Sequence, residues 1–218
     1  MALLELEDIG YRYSPKTPNV LSSINLSFEK GVMYALMGES GSGKTTLLSI
    51  IAKLDSPSEG RLYYNGKDAS KLNSNAYRAN EVAVIFQQYN LLTNYTALDN
   101  LIVALNISRY KGNCTKRAIE ILNEVNLEPE KHKRLTQHLS GGEQQRVAIA
   151  RAIVSNAEVI LADEPTGSLD KDNSEIVMRL VMDLSKKHNK CMIIATHSNS
   201  IAEYSDEIIR ISNGKILE

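Results

Sequence analysis

The stretch that most restricts this chain's fold is VMYALMGESGSGKTTLLSIIAKL, residues 32–54. It opens on a continuous apolar run, VMYALM at 32–37, which suits a strand buried on both faces. It closes on a helical pattern, TTLLSIIAKL at 45–54. Between them GESGSGKT, residues 38–45, fits G-x-x-x-x-G-K-[ST]. Gly38, Gly41 and Gly43 let the backbone curl around Glu39, Ser40 and Ser42, so that N–H groups face phosphate oxygens. The positive end of the following helix points the same way. Lys44 can reach the outer phosphates, the Thr45 hydroxyl can ligate Mg²⁺, and Thr46 follows into the helix. A ligand-free Gly-rich turn is the bland alternative, and the strand–loop–helix context weighs against it.

The rest of the chain agrees with an α/β fold. LLELEDI (3–9) and INLSF (24–28) alternate like strands, and GRLYYNGK (60–67) reads as a hairpin turning at Asn65-Gly66. EVAVIF (81–86) reads as another buried strand. From about Gln87 to Val154 the pattern is helical, over 97–107, 115–125 and 143–154. Strands return at EVILAD (158–163) and CMIIAT (191–196), with a long helix over 172–188 between them. EIIRIS (207–212), Asn213-Gly214 and KIL (215–217) form a closing hairpin. Strands alternating with helices predict a largely parallel sheet covered on both faces, and the helical stretch reads as an inserted lobe.

A second motif sits at a strand end. VILADE, residues 159–164, carries Asp163 to the C-terminal end of a strand, where ligands of open α/β sheets gather. Asp163 is placed to hold a Mg²⁺ shell through water, and Glu164 could polarise an attacking water. An acidic pair at a strand end is usually only solvated; its neighbour loop changes that reading. Together the two motifs predict a nucleoside-triphosphate site that hydrolyses its ligand.

A third motif, LSGGEQQR at 139–146, precedes the apolar helical run VAIARAIV. Ser140, Gly141, Gly142 and Glu143 open that helix with two glycines and a hydroxyl, which is a second anion site. This stretch resembles the signature sequence of ATP-binding cassette (ABC) ATPases. The resemblance covers the whole chain. It implies a P-loop NTPase (RecA-like) core of class α/β, with an N-terminal antiparallel β subdomain and an inserted α-helical subdomain. The corresponding boundaries are 1–87 and 155–218 for the catalytic core and 88–154 for the helical lobe. Gln87 in VIFQQ then resembles the glutamine-loop residue, a further Mg²⁺ contact. Asp170 in GSLD resembles the aspartate loop, His197 in IIATHS the switch histidine that senses the γ-phosphate, and Tyr13 in YRYS the aromatic that stacks on adenine. Tyr11, expected on the same strand face, competes with Tyr13 for that role. The resemblance implies that two copies dimerise head to tail on ATP, the Ser140–Gly142 region of one closing over the γ-phosphate held by the Lys44 loop of the other. His132, His138 and His188 read as surface residues, and Arg146 and Arg151 as members of structural ion pairs.

Composition bounds what remains. A length of 218 residues suits one domain or two closely packed lobes. The formal net charge of −1 lacks the basic excess of a general nucleic-acid binder, so no nucleic acid is expected as partner. Cys114 and Cys191 are far apart and read as reduced thiols. Residues 1–13 do not resemble a signal peptide, and no stretch is long and charge-free enough to span a bilayer. The resemblance implies a place at the cytoplasmic face of the cell membrane, beside an integral membrane permease. QQYNLLTNYTALDNL (87–101) and ADEPTGSLD (162–170) are similar to the lipoprotein-release and macrolide-export (LolD/MacB-like) cassettes, which implies an exporter or mechanotransmission role. Glu39 stands where that group commonly has Pro, and NISRYKGNC (106–114) departs from its pattern. Gln88, Tyr89, Leu91 and Leu92 are the expected contact for a partner's coupling helix, with simple hinge packing of Leu91 and Leu92 as the alternative. A soluble ATPase of the same family acting on DNA or ribosomes is the other class of function, and a P-loop kinase a third.

Overall fold

A computed structural model describes residues 2–167 and 169–217, and of Lys171 the backbone alone. Its first elements are β1 (Leu4–Tyr11), β2 (Leu21–Phe28), β3 (Met33–Met37), α1 (Lys44–Ile51), β4 (Glu59–Tyr64), β5 (Lys67–Asp68), α2 (Ser74–Asn80) and β6 (Val82–Ile85). A helical stretch follows, α3 (Ala97–Ile107), α4 (Cys114–Glu124) and α5 (Gly141–Val154). The chain continues through β7 (Val159–Asp163), α6 (Lys171–Lys187), β8 (Cys191–Thr196), the one-turn α7 (Asn199–Ala202), β9 (Glu207–Ser212) and β10 (Lys215–Leu217).

The strands form two sheets. One is antiparallel, in the order β2-β1-β4-β5; the other runs β10-β9-β3-β8-β7-β6 and is parallel except for β10. The apolar runs in β3, β7 and β8 are explained by two cores, one on each side of the parallel sheet. Val159, Leu161, Cys191, Ile193, Tyr34 and Leu36 feed the core shared with α1 and the antiparallel sheet. Their neighbours Ile160, Ala162, Met192, Ile194 and Met33 feed the core shared with the helices. Successive side chains of a strand point to opposite faces, so a strand covered twice cannot alternate with polar residues. Each fully buried Leu or Ile contributes about 1.5–3 kcal/mol.

β6 departs from the expectation of full burial. It is the edge strand and its central residues Ala83 and Val84 are only half-buried. Helix α2 was not foreseen in the sequence: its seven residues carry little periodicity, and Asn73 caps it by accepting from the Ala76 N–H. The expectation of surface histidines fails at two of three positions. His132 is 5% exposed, with Nε2 2.9 Å from the Leu127 carbonyl. His188 is half-buried, with Nε2 2.8 Å from Glu124. Charged sequence neighbours do not report what another helix covers.

Strand β1 is bent by a bulge. Its register with β2 shifts between Leu6 and Ile9, and Asp8 takes a φ of 47°. Gly60 of β4 fits beneath the bulge with φ 80°, where a Cβ would stand 2.3 Å from the carbonyl oxygens of Glu7 and Asp8. At the hairpin tip, Gly66 has φ 71° but open space around it. Gly66→Ala should therefore cost only the left-handed backbone, about 1 kcal/mol. Gly60→Ala adds backbone collisions and should cost about 2–4 kcal/mol. Urea unfolding of both variants checks the order; equal losses would mean that the bulge does not need the close approach.

Candidate functional site

The parallel register brings three strand ends level. Met37 pairs with Thr196, and Asp163 pairs with Ala195. The residues that follow β3, β7 and β8 therefore emerge side by side. Around them lies a cavity of about 650 Å³ lined by Tyr13, Gly41, Lys44, Thr45, Gln87, Asp163, Glu164 and His197, among others.

The loop after β3 is held by its own glycines and lysine. Gly38 has no room for a side chain, since a Cβ would stand 2.3 Å from the Ile211 carbonyl oxygen. Gly43 begins α1 with φ 107°. Lys44 is buried and its Nζ donates to the carbonyls of Gly38 and Glu39, at 2.8 and 2.9 Å. An ammonium has three donors, so one remains for a ligand. The first N–H groups of α1 have no intrahelical acceptor and start at the cavity wall. Ser40 and Thr46 line the cavity, whereas Gly38, Glu39 and Ser42 do not. The Ser42 hydroxyl is buried with no hydrogen-bond partner among the described residues.

Two carboxylates face that loop. Burial pushes the Asp163 carboxyl above the usual carboxylate range, partly offset by a hydrogen bond with Thr45 and by the charge of Lys44. Glu164 turns away from the strand with φ 46°, its N–H donating to the Ala195 carbonyl and its carbonyl accepting from Gly167. Its Oε1 is 2.8 Å from His197 Nδ1 and its Oε2 3.4 Å from the Thr196 hydroxyl. An ionised carboxylate only accepts, so Nδ1 carries the proton and Nε2 is left for another partner. His197 is 70% exposed. Oε2, weakly held, can accept from a water.

Tyr13 and Tyr11 separate cleanly. β1 ends at Tyr11, which is buried at 8% exposure, so the two are not on one strand face. Tyr13 is 69% exposed, packs edge-on against Tyr11 at 5.2 Å between ring centroids, and has its hydroxyl 3.2 Å from Thr46 Oγ1. Gln87 is exposed at the cavity, close to Gly167, where a Cβ would stand 3.0 Å from the Gln87 amide nitrogen. Gly167 and Val20 line the cavity without having been singled out in the sequence. A turn glycine and a lone valine carry no pattern that would have found them.

The remaining sequence candidates stand apart from this cavity. Gly141 and Gly142 form the first turn of α5, and Ser140 is its N-cap. Ser140 and Glu143 cap each other reciprocally, and Glu143 is also paired with Lys131 at 2.8 Å. Burial favours the neutral form of Glu143, yet its bonds from Lys131 and Ser140 outweigh that and lower its pKa. Asp170 caps α6, accepting from the N–H and the side-chain amide of Asn173 at 2.9 and 2.8 Å. None of these residues lines the cavity around Lys44. The ion pairs expected of Arg146 and Arg151 are not among those of the described residues. Arg151 donates instead to the carbonyls of Tyr89 and Asn90. No described helix is long and apolar enough to cross a membrane.

Comparison with known proteins agrees with this geometry. Residues 21–167 match the ABC transporter family. The chain is 43% identical to the uncharacterized ABC transporter ATP-binding protein YclH of Bacillus subtilis, over 98% of this chain and 95% of that one. It is 38% identical to the lipoprotein-releasing system ATP-binding protein LolD 1 of Rhodopseudomonas palustris, over 98% of each. It is 42% identical to the macrolide export ATP-binding/permease protein MacB of Bartonella henselae, aligning over 99% of this chain but only 33% of that longer protein. Its fold matches the ABC transporter cassette MJ0796 of Methanocaldococcus jannaschii with a TM-score of 0.87 at 35% identity, over 99% and 97% of the two chains. That cassette has been solved as a dimer, including a post-hydrolysis state bound to ADP and Pi. A strand-end loop with a buried lysine, an acidic pair and a facing histidine thus occur in a chain that belongs to the ABC transporter family, as an ATP-binding cassette and an ATPase.

Proposed function

We propose that this chain is the ATPase subunit of a LolD/MacB-like machine, in which two copies close head to tail on ATP and drive a membrane partner. The observation that carries this reading is a separation. The cavity gathers Lys44, Thr45, Asp163, Glu164 and His197, while the Ser140–Gly142 helix start, exposed at Ser140 and Gly141, lies outside it. One chain thus presents two halves of an anion site that it does not join. A second copy, turned head to tail, supplies the missing half. In this reading residues 1–87 and 155–218 form the catalytic core and 88–154 the lobe that carries the signature. Asp170 and Gln87 border the junction between copies, and Tyr13 receives the adenine. The 42% identity to MacB and the 38% identity to LolD 1 support an exporter or mechanotransmission role, moving a lipoprotein, peptide or antimicrobial. The permease then places this subunit at the cytoplasmic face of the membrane.

The residues also fit Mg²⁺. Among the described residues no group of three or more His, Cys, Asp or Glu side chains is arranged to hold a metal alone. Mg²⁺ needs no such cage, because it takes one or two protein oxygens and completes its shell with phosphates and water. Thr45, Asp163 and Gln87 offer oxygens of that kind. The cavity sets two carboxylates against one lysine, so a bare triphosphate would meet like charge. When bound, Mg²⁺ would neutralise that excess and polarise the phosphates. Lys44 would hold the outer phosphates, Glu164 Oε2 would take the proton of the attacking water, and an imidazolium at His197, with a proton on Nε2 as well as Nδ1, would donate to the γ-phosphate.

Glu164→Gln keeps the shape of the side chain and loses the base. Hydrolysis should fall by about 100-fold or more while ATP still binds, and the variant should sediment as a dimer with saturating ATP and Mg²⁺. A variant that stays monomeric there would sink the composite site. Isolation of the tagged chain from its own membranes in mild detergent tests the subgroup. A co-purifying multi-span protein with a large extracytoplasmic domain is expected; a compact permease would discard the subgroup, and ribosomes or DNA would discard the transporter.

The acidic pair makes a pH prediction. Because burial raises the Asp163 pKa above its ordinary 3.8, the folded chain binds that proton more tightly than the unfolded chain does. This contribution to stability is largest below the ordinary carboxylate range and is lost as pH rises through the raised value. Asp163→Asn should therefore raise the Tm of the nucleotide-free chain at pH 7, with the gain shrinking as pH falls toward about 4. A gain independent of pH, or a loss at pH 7, would contradict the buried charge.

A further inference from the structure

The segment that follows Gln87 is strained, and one side chain bonds it twice. Tyr89 and Asn90 both take left-handed backbone, with φ 59° and 48°. Asn tolerates that region, but Tyr rarely visits it. Two successive residues of this kind persist only where their surroundings impose them. Backbone bonds from the Tyr89 N–H to Phe86 and from the Asn90 N–H to Gln88 close the turn locally, and Arg151 is the side chain that bonds both residues from outside. Its Nη1 donates to the Asn90 carbonyl at 2.5 Å and its Nη2 to the Tyr89 carbonyl at 3.0 Å. No ion pair among the described residues involves Arg151. Burial lowers its pKa, as it does for a cation facing two carbonyl dipoles and no carboxylate.

The same turn touches the other end of α5. Positions 141, 144, 148 and 151 share one helix face. Helical side chains lean toward the N-terminus, so Arg151 reaches back along α5 toward Gly141. From the opposite direction the Tyr89 hydroxyl lies 3.2 Å from where a Cβ on Gly141 would stand. Gly141 and Arg151 are about 15 Å apart along the axis. The arginine side chain, the Tyr89 backbone and the Tyr89 ring span that interval in series. Tyr89 thus meets one helix at both ends, its carbonyl bonded by Arg151 and its hydroxyl beside Gly141, two residues after Gln87 at the Lys44 cavity.

We propose that Arg151 is a positioning residue that clamps the 88–90 turn in its left-handed form and thereby fixes the spacing between Gln87 and the Ser140–Gly142 helix start. This rests on the composite-site reading above, and it names the side chain that keeps the two half-sites of one chain in register. A clamp of this kind has a specific second-site signature. Glycine favours positive φ at no steric cost, so Asn90→Gly should replace part of what Arg151 imposes.

The test uses the full-length chain and four measurements on each variant: kcat for ATP, the Kd for ATP at concentrations too dilute to dimerise, Tm, and amide exchange at 88–90 without nucleotide. Arg151→Gln should lower kcat about tenfold or more, a typical effect of misplacing a remote part of a site, with Kd within about twofold. Amide exchange at 88–90 should quicken about tenfold. Adding Asn90→Gly to Arg151→Gln should recover at least about threefold in kcat. A folded Arg151→Gln with the parent's kcat, or with unchanged exchange at 88–90, overturns the proposal; so does a double variant no faster than Arg151→Gln. If Arg151→Gln does not fold, Arg151→Lys carries the same comparison, since its single ammonium nitrogen lacks the planar fork that bonds Asn90 and Tyr89 from two separate nitrogens. Should the parent fail to hydrolyse ATP, the composite-site reading falls, and the exchange at 88–90 still decides the clamp.

Discussion

The pairing of β3 with β8, and of β8 with β7, is the constraint on which the rest depends. Its register sets Met37 beside Thr196 and Asp163 beside Ala195. A slip of one residue would shift a strand end by about 3.3 Å and exchange the faces of every side chain on it. The two buried cores forbid such a slip, because residues of β7 and β8 feed them alternately. Apolar packing, with no polar group of its own, therefore aligns a lysine, two carboxylates and a histidine that come from distant parts of the sequence.

Polar groups at the strand ends are kept ready by their neighbours. The Lys44 ammonium rests on two carbonyls of its own loop, the Asp163 carboxyl on the Thr45 hydroxyl, and Glu164 on His197. Each of these bonds leaves capacity unused: a third ammonium proton, a raised carboxyl pKa, a weakly held Glu164 oxygen. At the start of α5 the opposite holds. Ser140 and Glu143 satisfy each other's backbone donors, so the helix start is capped without any ligand.

What the sequence made legible follows from how local each signal is. The loop at 38–45, the strand that ends at Asp163 and the long helices at 97–107 and 171–187 are written in consecutive residues, and the structure has them within a residue or two of the expected bounds. The edge position of β6, the short α2 and the burial of His132 were not legible, because each depends on what packs against it. The distinction between Tyr11 and Tyr13 turned on where β1 ends, which a two-residue spacing does not fix. Arg151 misled most. An arginine on a helix suggests a carboxylate, yet its partners are backbone carbonyls some sixty positions away, and a carbonyl has no letter in the sequence. Nor does any glycine announce the left-handed turn at Tyr89.

The helical stretch between β6 and β7 is, topologically, a crossover. β6 and β7 are adjacent and parallel, with Val82 opposite Val159 and Ile85 opposite Ala162. A parallel pair needs about a dozen residues to return to the same end of the sheet. Here everything from 86 to 158 fills that role. The entropy of closing a loop grows only with the logarithm of its length. Enlarging this connection therefore burdens the sheet very little, so long as the added helices bury their own faces, and mutation can lengthen, shorten or rewrite it with the strand register intact. This connection can change by descent while the geometry at the strand ends stays as it was.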